Sequence, residues 1–439
     1  MYLTLITSSA AIVAVWILIR RLQPGRFGLA FGLFSLYLAY FGRMPLTMGP
    51  MLNGLSMALL LLLALSTSLP AWPNQKARTF RLLIFAYMGV SLVGVVGAVA
   101  SGSEVFYMMT RFKRWLDPLL FGLLGLALGR DRDRKFTLSC MVVGYSMVAF
   151  HSVRQGLDYG AKRIPGLLGH PNETGAFLAS YAPIVLAIAL FWAGWKLRFL
   201  LLSILATAAW GLVALESRGS MIGFAVGILA LLFGAGRRTL AGLGLAALLL
   251  GYAMPGLLPA RVADRFAAIY RESPGAEIVS DEVTDPSGVN RMQIWGAAVR
   301  AILHNPFGFG LNQFKSVSGD YGGIQGKDAH NYFLLVGVEL GVVGLILVVG
   351  LLVLVVSDAW TLSRHGSGGV TWAIGTGVLG MVGATIIVNL IGSRLMQPQP
   401  SIYFWVLAGM TVRLRDTLSL QSREEAPEAT PVARAAWQR

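Results

Sequence analysis

The sequence predicts an all-α protein that crosses a membrane many times, and three observations lead to this prediction. Of its 439 residues, 55% are hydrophobic and only 13% are charged, whereas soluble globular proteins carry roughly 25% charged residues. The apolar residues form long blocks, and about 20 such residues are needed to cross the hydrocarbon core of a bilayer. The blocks occupy nearly the whole chain, so we expect one integral membrane domain.

We predict about twelve or thirteen spans, because the apolar segments 116–129 and 401–412 are short enough to be re-entrant. The first segment is interpreted as a span and not as a cleavable signal, because it lacks a basic start and Arg20 and Arg21 follow it. The predicted segments are 3–19, 27–41, 51–70, 81–100, 116–129, 136–151, 174–194, 197–214, 220–235, 239–255, 331–357, 370–390 and 401–412.

The spans divide the chain into four regions. Ten spans lie within 1–255, a long loop follows at 256–329, further spans lie within 330–414, and a polar tail at 415–439 is predicted to be disordered. An amphipathic helix is predicted in the long loop at Asn290–Leu303. Its apolar side consists of Met292, Ile294, Trp295, Ala298 and Ile302.

The net charge of +15 comes largely from short loops that alternate along the chain. These basic loops include residues 20–26, 130–135, 196–198 and 413–415, and short basic loops face the cytoplasm. The long loop 256–329 then lies outside, with the C-terminus inside. The charge therefore needs no nucleic acid to explain it. The single cysteine, Cys140, lies in an apolar block, so neither a disulfide nor a zinc site is expected.

Polar residues interrupt the junction between two apolar spans at Glu216–Ser220. Arg218 is the critical residue there, because a charge at membrane depth is costly and tends to be functional. Ser217 and Gly219 favour a tight backbone that a ligand can approach. The alternative is that Arg218 is an interfacial anchor whose charged end reaches the headgroups.

The predicted loop helix carries Arg291 near its start, and from position alone this would be a solvated charge. Pro306, Gly308 and Gly310 follow the helix and should end it in a turn. This glycine pattern does not follow a strand, which argues against a dinucleotide-binding fold.

Two further polar clusters precede apolar spans. Asp328, His330 and Asn331 stand directly before a long apolar run, and imidazole is the natural proton acceptor near neutral pH. The alternative is that His330 is an ordinary interfacial side chain. Before another span, Asn172 is predicted to cap a helix whose N-terminus would attract anions. Arg394, in the outer loop 391–400, is predicted from its position to be an interfacial anchor.

In this order and on one side of the membrane, these motifs are specific. The chain resembles the Wzy-C superfamily of O-antigen ligases, O-antigen polymerases and bacterial O-oligosaccharyltransferases, over roughly residues 165–395. The motifs that carry the resemblance are Pro171-Asn172 before a span, Ser217-Arg218-Gly219 at a junction, Arg291 with Trp295, Pro306 with Gly308 and Gly310, and His330-Asn331 before an apolar helix.

The resemblance implies a metal-independent, cofactor-free, inverting glycosyl transfer on a GT-C type fold, at the periplasmic face of the inner membrane. The donor would be a glycan on undecaprenyl diphosphate, and the ligase acceptor a sugar hydroxyl of lipid A-core. It assigns the donor diphosphate to Arg218 and Arg291, and the acceptor hydroxyl to His330 as base or orienting group. The supporting residues would be Asn172, Ser217, Trp295, Asn331 and Arg394.

Chemistry agrees with these assignments. Planar guanidinium groups bind phosphate oxygens bidentately and keep their charge, and no acidic cluster with metal-ligand spacing is apparent on the outer side.

The modest outer loop and the chain length favour a ligase over a polymerase. A protein O-glycosyltransferase would often carry a large outer domain after the histidine. A transporter or flippase would be expected to have charges inside several spans or paired broken helices. The sequence shows neither, and its charges cluster at the outer rim.

Overall fold

The computed structural model describes residues 2–26, 28–29, 32–33, 75–112, 115–159, 163–237, 240, 242, 244–245, 287–365 and 369–424. Every regular element in these ranges is a helix, which confirms the predicted all-α class. Six of the described helices are long and apolar enough to cross a membrane, and Arg218–Gly234 is a shorter apolar helix. The protein is therefore a polytopic helical membrane bundle.

The helices follow the predicted spans wherever the structure describes them. They are α1 Tyr2–Leu22, α2 Gln75–Ala100, α3 Val105–Phe112, α4 Asp117–Ala127, α5 Asp131–Tyr159, α6 Pro171–Phe191, α7 Trp195–Leu215, α8 Arg218–Gly234, α9 Ser287–His304, α10 Phe314–Val317, α11 Tyr332–His365, α12 Gly369–Leu390 and α13 Pro398–Glu424, with 3-10 turns at Ser318–Tyr321 and Arg394–Met396. The predicted spans 27–41, 51–70 and 239–255 lie almost entirely outside the described residues, so the span count stays a prediction.

The two short predicted spans form a pair of unequal helices. Segment 116–129 becomes the 11-residue α4, whereas segment 401–412 is the middle of the 27-residue α13. The two pack with their backbones in contact, because a Cβ atom at Gly125 would collide with the carbonyl oxygen of Val406 and one at Gly409 with that of Gly122. Since no side chain separates them, the short helix is held by α13 along its length.

The predicted disorder after residue 414 is wrong for the first part of the tail. Helix α13 continues to Glu424, and residues 425–439 lie outside the described residues. Leu414 and Asp416 are buried, and the Asp416 carboxylate accepts the backbone amide of Ala77 at 3.1 Å. The end of α13 therefore packs against the start of α2, and this contact stabilises helix where composition alone predicts a solvated tail.

Helices α6, α8 and α12 pack together around small residues. A Cβ atom at Gly227 of α8 would lie 2.9 Å from the Pro183 ring in α6 and 3.0 Å from the Gly380 carbonyl oxygen in α12. Small residues let membrane helices approach this closely. At one end of the trio, a Cβ atom at Gly175 would lie 2.6 Å from the Ser220 hydroxyl. The packing thus brings the N-termini of α6 and α8 together.

Helix α11 is broken at Gly341, which has φ 71° and ψ −174°. The segment after α9 supplies the missing backbone hydrogen bonds. The amide of Val342 donates to the Pro306 carbonyl at 2.8 Å, and the amide of Gly310 donates to the Glu339 carbonyl at 3.0 Å. The break is therefore a joint at which the segment after α9 is bonded to α11.

Glycine is required at this joint because the backbone of the segment after α9 is in direct contact with the backbones of α11 and α2. A Cβ atom at Gly308 would lie 2.6 Å from the Gly341 nitrogen, and one at Gly310 would lie 2.7 Å from the Ala98 nitrogen. Both glycines also have positive φ, at 88° and 96°, which favours glycine. The turn predicted after the loop helix is present, and it fixes the segment after α9 to α2 and α11.

Helix α9 confirms the predicted amphipathic helix in the long loop, with one correction. Ile294 and Ala298 are buried against Phe314 and Ala329, but Met292, which we placed on the apolar side, is 68% exposed. Met292 lies two residues before Ile294, which is about 200° around a helix. The buried stripe is too narrow to include it.

Candidate active site

A cavity of about 180 Å³ opens where α6 and α8 begin and α12 ends. Four arginines line it: Arg163, Arg218, Arg291 and Arg394. Among the described residues of its wall, Glu216 is the one carboxylate. The cavity is therefore strongly cationic. Arg218, Arg291 and Arg394 come from segments that are far apart in the sequence.

The turn between α7 and α8 presents Arg218 to this cavity. Glu216 adopts left-handed backbone angles, φ 50° and ψ 39°, and so turns the chain sharply at the end of α7. Ser217 holds the N-cap position of α8 but makes no capping bond. Its hydroxyl pairs with that of Ser220 at 2.8 Å. Arg218 is the first residue of α8 and lies in the wall beside these groups.

The start of α6 corrects our prediction for Asn172. The N-cap is His170, whose Nδ1 accepts the Asn172 amide at 3.2 Å, because Pro171 occupies the first helical position. The Asn172 side chain does not cap the helix. Its Oδ1 accepts a hydrogen bond from Arg163 at 3.0 Å, and Arg163 also donates to the Leu215 carbonyl at 3.1 Å. Asn172 and Arg163 therefore join the start of α6 to the end of α7.

A second cavity, of about 360 Å³, adjoins the first. The two share Asn172, Arg291 and Arg394 as wall residues. His330 lines the second cavity, and Arg218 lines the first. The structure thus brings Arg218, Arg291, Arg394, Asn172 and His330 into one continuous region.

His330 sits in a strained, hydrogen-bonded turn before α11. Its φ is 48°, and its amide donates to the Asp328 carboxylate at 3.3 Å. The same carboxylate oxygen accepts the Ser393 hydroxyl at 3.2 Å. Asn331 is buried, and its side-chain oxygen accepts the amides two and three residues later, at 3.0 and 3.1 Å. Asn331 therefore caps α11, while the turn aims His330 at the cavity.

The electrostatics of the cavity favour a neutral imidazole. Partial burial lowers the pKa of His330 below its ordinary value, because it disfavours the charged form. The Asp328 carboxylate opposes this shift, whereas the positive charges of Arg291, Arg394 and Lys315 lower the pKa further. At neutral pH the side chain can therefore accept a proton.

Arg394 is part of the cavity wall, not the interfacial anchor that its position suggested. It begins a 3-10 turn, which is fixed because the buried Asn389 side chain accepts the Leu395 amide at 2.9 Å. Burial lowers the pKa of Arg394, and the Glu173 carboxylate opposes this shift. An arginine nevertheless keeps its charge in a protein, so Arg394 adds a cation to both cavities.

Trp295 docks the loop helix on the bundle. Its indole nitrogen donates to the Ala329 carbonyl at 3.1 Å, directly before His330. Arg291 lies one helical turn before Trp295, and residues four apart share a helix face. The indole bond therefore directs Arg291 into both cavities.

Several wall residues, above all Glu339, were not predicted from the sequence. This side chain is 4% exposed, lines the second cavity and accepts the Asn312 amide at 2.8 Å. Glu339 is an exception to the clustering of charges at the outer rim, because it lies inside the predicted span 331–357. A lone carboxylate in that apolar run was the available signal. Arg111, Arg163 and Lys315 are further wall residues that no pattern marked.

No three His, Cys, Asp or Glu side chains in the described part of the chain are grouped so that they could hold a metal ion. Among the described wall residues, the first cavity carries four arginines and one carboxylate, and the second combines Arg111, Arg291, Arg394 and Lys315 with Glu173, Asp328 and Glu339. The arrangement can bind an anion in the first cavity and accept a proton in the second.

Residues 203–349 match a family model, Wzy_C, described as O-antigen ligase. This segment is similar to the O-antigen ligase family. The match covers about a third of the chain and includes Arg218, Arg291 and His330, whereas Asn172 and Arg394 lie outside it. Among curated proteins, none matches the chain.

The match confirms the resemblance to the O-antigen ligase and polymerase superfamily, over a shorter range than the predicted 165–395. It indicates a multi-pass membrane enzyme of the O-antigen ligase and polymerase kind, related to glycosyl transfer. Lipid-linked glycans are the substrates that this family suggests.

Proposed function

We propose that the protein is an O-antigen ligase. It transfers a glycan from undecaprenyl diphosphate to a sugar hydroxyl of lipid A-core, at the periplasmic face of the inner membrane and without a metal. The observation that carries the proposal is the shared wall of the two cavities. Arg218, Arg291 and Arg394 surround the first cavity, and His330 lines the second, beside the two arginines that both cavities share.

The first cavity is the proposed site of the donor diphosphate. Negative charge grows on the phosphate oxygen as the sugar leaves, and Arg218, Arg291 and Arg394 are positioned to stabilise that charge. Guanidinium groups suit this role because their planar forks match phosphate oxygens. The N-terminus of α8 adds a partial positive charge next to Arg218.

The second cavity is the proposed site of the acceptor hydroxyl. The hydroxyl oxygen bonds to the anomeric carbon of the donor sugar, on the face opposite the diphosphate. The bond from that carbon to the diphosphate oxygen breaks, and its electron pair leaves with the diphosphate. The proton of the hydroxyl passes to the neutral imidazole of His330, whose lowered pKa suits this role. The anomeric configuration is therefore inverted.

The location follows from the charge pattern of the loops. Short loops such as 130–135 and 196–198 are basic, which favours the cytoplasm, and the cavities lie at the ends of helices remote from them. Both proposed substrates carry lipid tails, which accounts for a site at the membrane surface. Reporter fusions after Arg237 and after Gly326 should give opposite signals, and equal signals would refute this orientation.

A polymerase is the second candidate, because the family match fits either enzyme. The two differ in acceptor. Lipopolysaccharide from a deletion strain should lose its long ladder and keep an intact core if the protein is a ligase. A core capped by one repeat would instead identify a polymerase. An unchanged ladder would contradict both.

A further inference from the structure

We propose that the second cavity contains an anion-binding subsite, formed by Arg111 and Lys315, that holds a phosphate or carboxylate group of the acceptor. This inference rests on the proposed function, since it concerns the acceptor of that same reaction. It adds a chemical requirement: the sugar that supplies the attacking hydroxyl carries an anionic group, on itself or on its neighbour.

The two cations come from different helices, and Arg111 lies over the ring of a tyrosine. Arg111 of α3 and Lys315 of α10 both line the second cavity and not the first. The guanidinium carbon of Arg111 lies 4.9 Å from the centre of the Tyr107 ring. The Asn312 side chain donates to the Tyr107 hydroxyl at 3.2 Å. These contacts hold Arg111 in place and leave its charge facing the cavity.

Lys315 acts electrostatically on both Tyr107 and the proposed base, His330. Burial alone would raise the pKa of Tyr107, but hydrogen bonds from Arg111 and Asn312 and the charges of Arg111 and Lys315 lower it overall. The Lys315 charge also lowers the pKa of His330. Lys315 therefore acts on both Tyr107 and His330, and both cations line the cavity that His330 lines.

Three carboxylates also line this cavity, those of Glu173, Asp328 and Glu339. Neither Arg111 nor Lys315 forms an ion pair with any residue that the structure describes. Asp328 is engaged by the His330 amide, and Glu339 by the Asn312 amide. Two cations without carboxylate partners, in the wall of a cavity, are suited to an anionic ligand.

The position of the cluster assigns the anion to the acceptor. Arg218 lines only the first cavity, whereas Arg111 and Lys315 line only the second, with His330. In an inverting transfer the attacking and leaving oxygens lie on opposite faces of the donor sugar. An anion beside His330 and away from Arg218 therefore belongs to the attacking molecule.

The test uses the full chain in nanodiscs, with undecaprenyl diphosphate-linked glycan as donor and lipid A-core as acceptor. In the double variant Arg111→Gln with Lys315→Gln, the acceptor KM should rise about tenfold or more, as expected for lost charge-assisted contacts, while the donor KM stays the same. Arg111→Lys should restore part of the loss. The matched control is Lys327→Gln, which removes an exposed charge that lines neither cavity and should leave the acceptor KM unchanged.

A second arm measures acceptor binding without donor, so that it does not depend on transfer. The wild-type chain should bind lipid A-core more tightly than its phosphatase-treated form, and the double variant should bind both equally weakly. If the wild type binds both forms equally and the double variant binds both less tightly, the recognised group is a carboxylate. Equal binding of lipid A-core by the wild type and the double variant, or an unchanged acceptor KM in the double variant, would overturn the inference.

The anion that binds to Arg111 and Lys315 could instead be the headgroup of an anionic membrane lipid. If the effect of the double variant disappears in nanodiscs made only of phosphatidylcholine and persists with dephosphorylated acceptor, the site binds a lipid headgroup, and the acceptor assignment is wrong. Failure of the proposed function is distinct from either result, because the wild-type chain would then transfer no glycan to lipid A-core, whatever it binds.

Discussion

The Asp328 carboxylate accepts a hydrogen bond from the Ser393 hydroxyl at 3.2 Å. The bond joins the turn that carries His330 to the turn that carries Arg394, across 65 residues of sequence. The proposed base and one of the proposed phosphate ligands are therefore held by a single contact. The charge of Asp328 also acts directly on His330, and this makes the contact testable.

The first prediction concerns the pH dependence of transfer. His330 acts as a base when it is neutral, so activity is present above its pKa and is lost as the pH falls through it. Because partial burial lowers that pKa, the acid limb of kcat/KM should lie below about 6.5, the ordinary value for histidine. Asp328 raises the pKa, so Asp328→Asn should move the limb to lower pH. Lys315 lowers it, so Lys315→Gln should move the limb to higher pH. Shifts in the reverse directions would contradict the assignment of His330.

The second prediction concerns the arginines. Arg218→Lys and Arg291→Lys should each reduce the rate on the order of 10²-fold or more, although the charge is kept, because an ammonium group cannot reproduce a planar fork on a diphosphate. Arg300→Lys is the matched control, since Arg300 is exposed on α9 and lines neither cavity. Near-normal transfer by both site variants, at normal expression, would show that these arginines are interfacial anchors.

The third prediction concerns the glycine joint. Gly308→Ala should lower the melting temperature and the activity, because a Cβ atom there would lie 2.6 Å from the Gly341 nitrogen. Gly326→Ala separates this collision from backbone strain, since Gly326 also has positive φ, at 78°, but has open space around it. Both variants lose stability through strain, and Gly308→Ala should lose clearly more. Equal melting temperatures would mean that the close approach at Gly308 contributes nothing.

The fourth prediction concerns metals. We propose that Arg218, Arg291 and Arg394, and not a metal ion, stabilise the charge on the diphosphate. Transfer by the purified protein should therefore be unchanged in excess EDTA. Strict dependence on magnesium or manganese would show that acidic ligands take part in the reaction.

The helices could be predicted from the sequence because a bilayer leaves few alternatives. A backbone in hydrocarbon must satisfy its own hydrogen bonds, so a long apolar run forms a helix. Helix α12 at Gly369–Leu390 follows its predicted span, 370–390, almost to the residue. The prediction failed where tertiary contacts decide. Helix α13 extends to Glu424 because Asp416 binds the start of α2, and no local pattern contains that partner.

The site could be predicted only in part, for the same reason. Arg218 and His330 stood out because each interrupts or adjoins an apolar run. Arg291 and Arg394 looked like a solvated charge and an anchor. They become wall residues through the Trp295–Ala329 bond and through the turn that Asn389 holds. Such contacts join segments that are distant in the sequence, and hydrophobic periodicity does not predict them.

The most direct test of the account is the chemistry of His330, which lines the second cavity at φ 48°. The variant His330→Asn suits the test, because asparagine tolerates this left-handed backbone conformation better than most residues but is not a base. We expect His330→Asn to fold and to bind the undecaprenyl diphosphate-linked donor as the wild type does, since donor binding belongs to the arginines.

The decisive measurement is the single-turnover rate of His330→Asn, with donor binding measured in parallel. If His330 is the general base, donor binding should be normal and the single-turnover rate should be lower than that of the wild type by roughly 10²–10⁴-fold. A single-turnover rate close to that of the wild type would remove His330 from the mechanism and contradict the account.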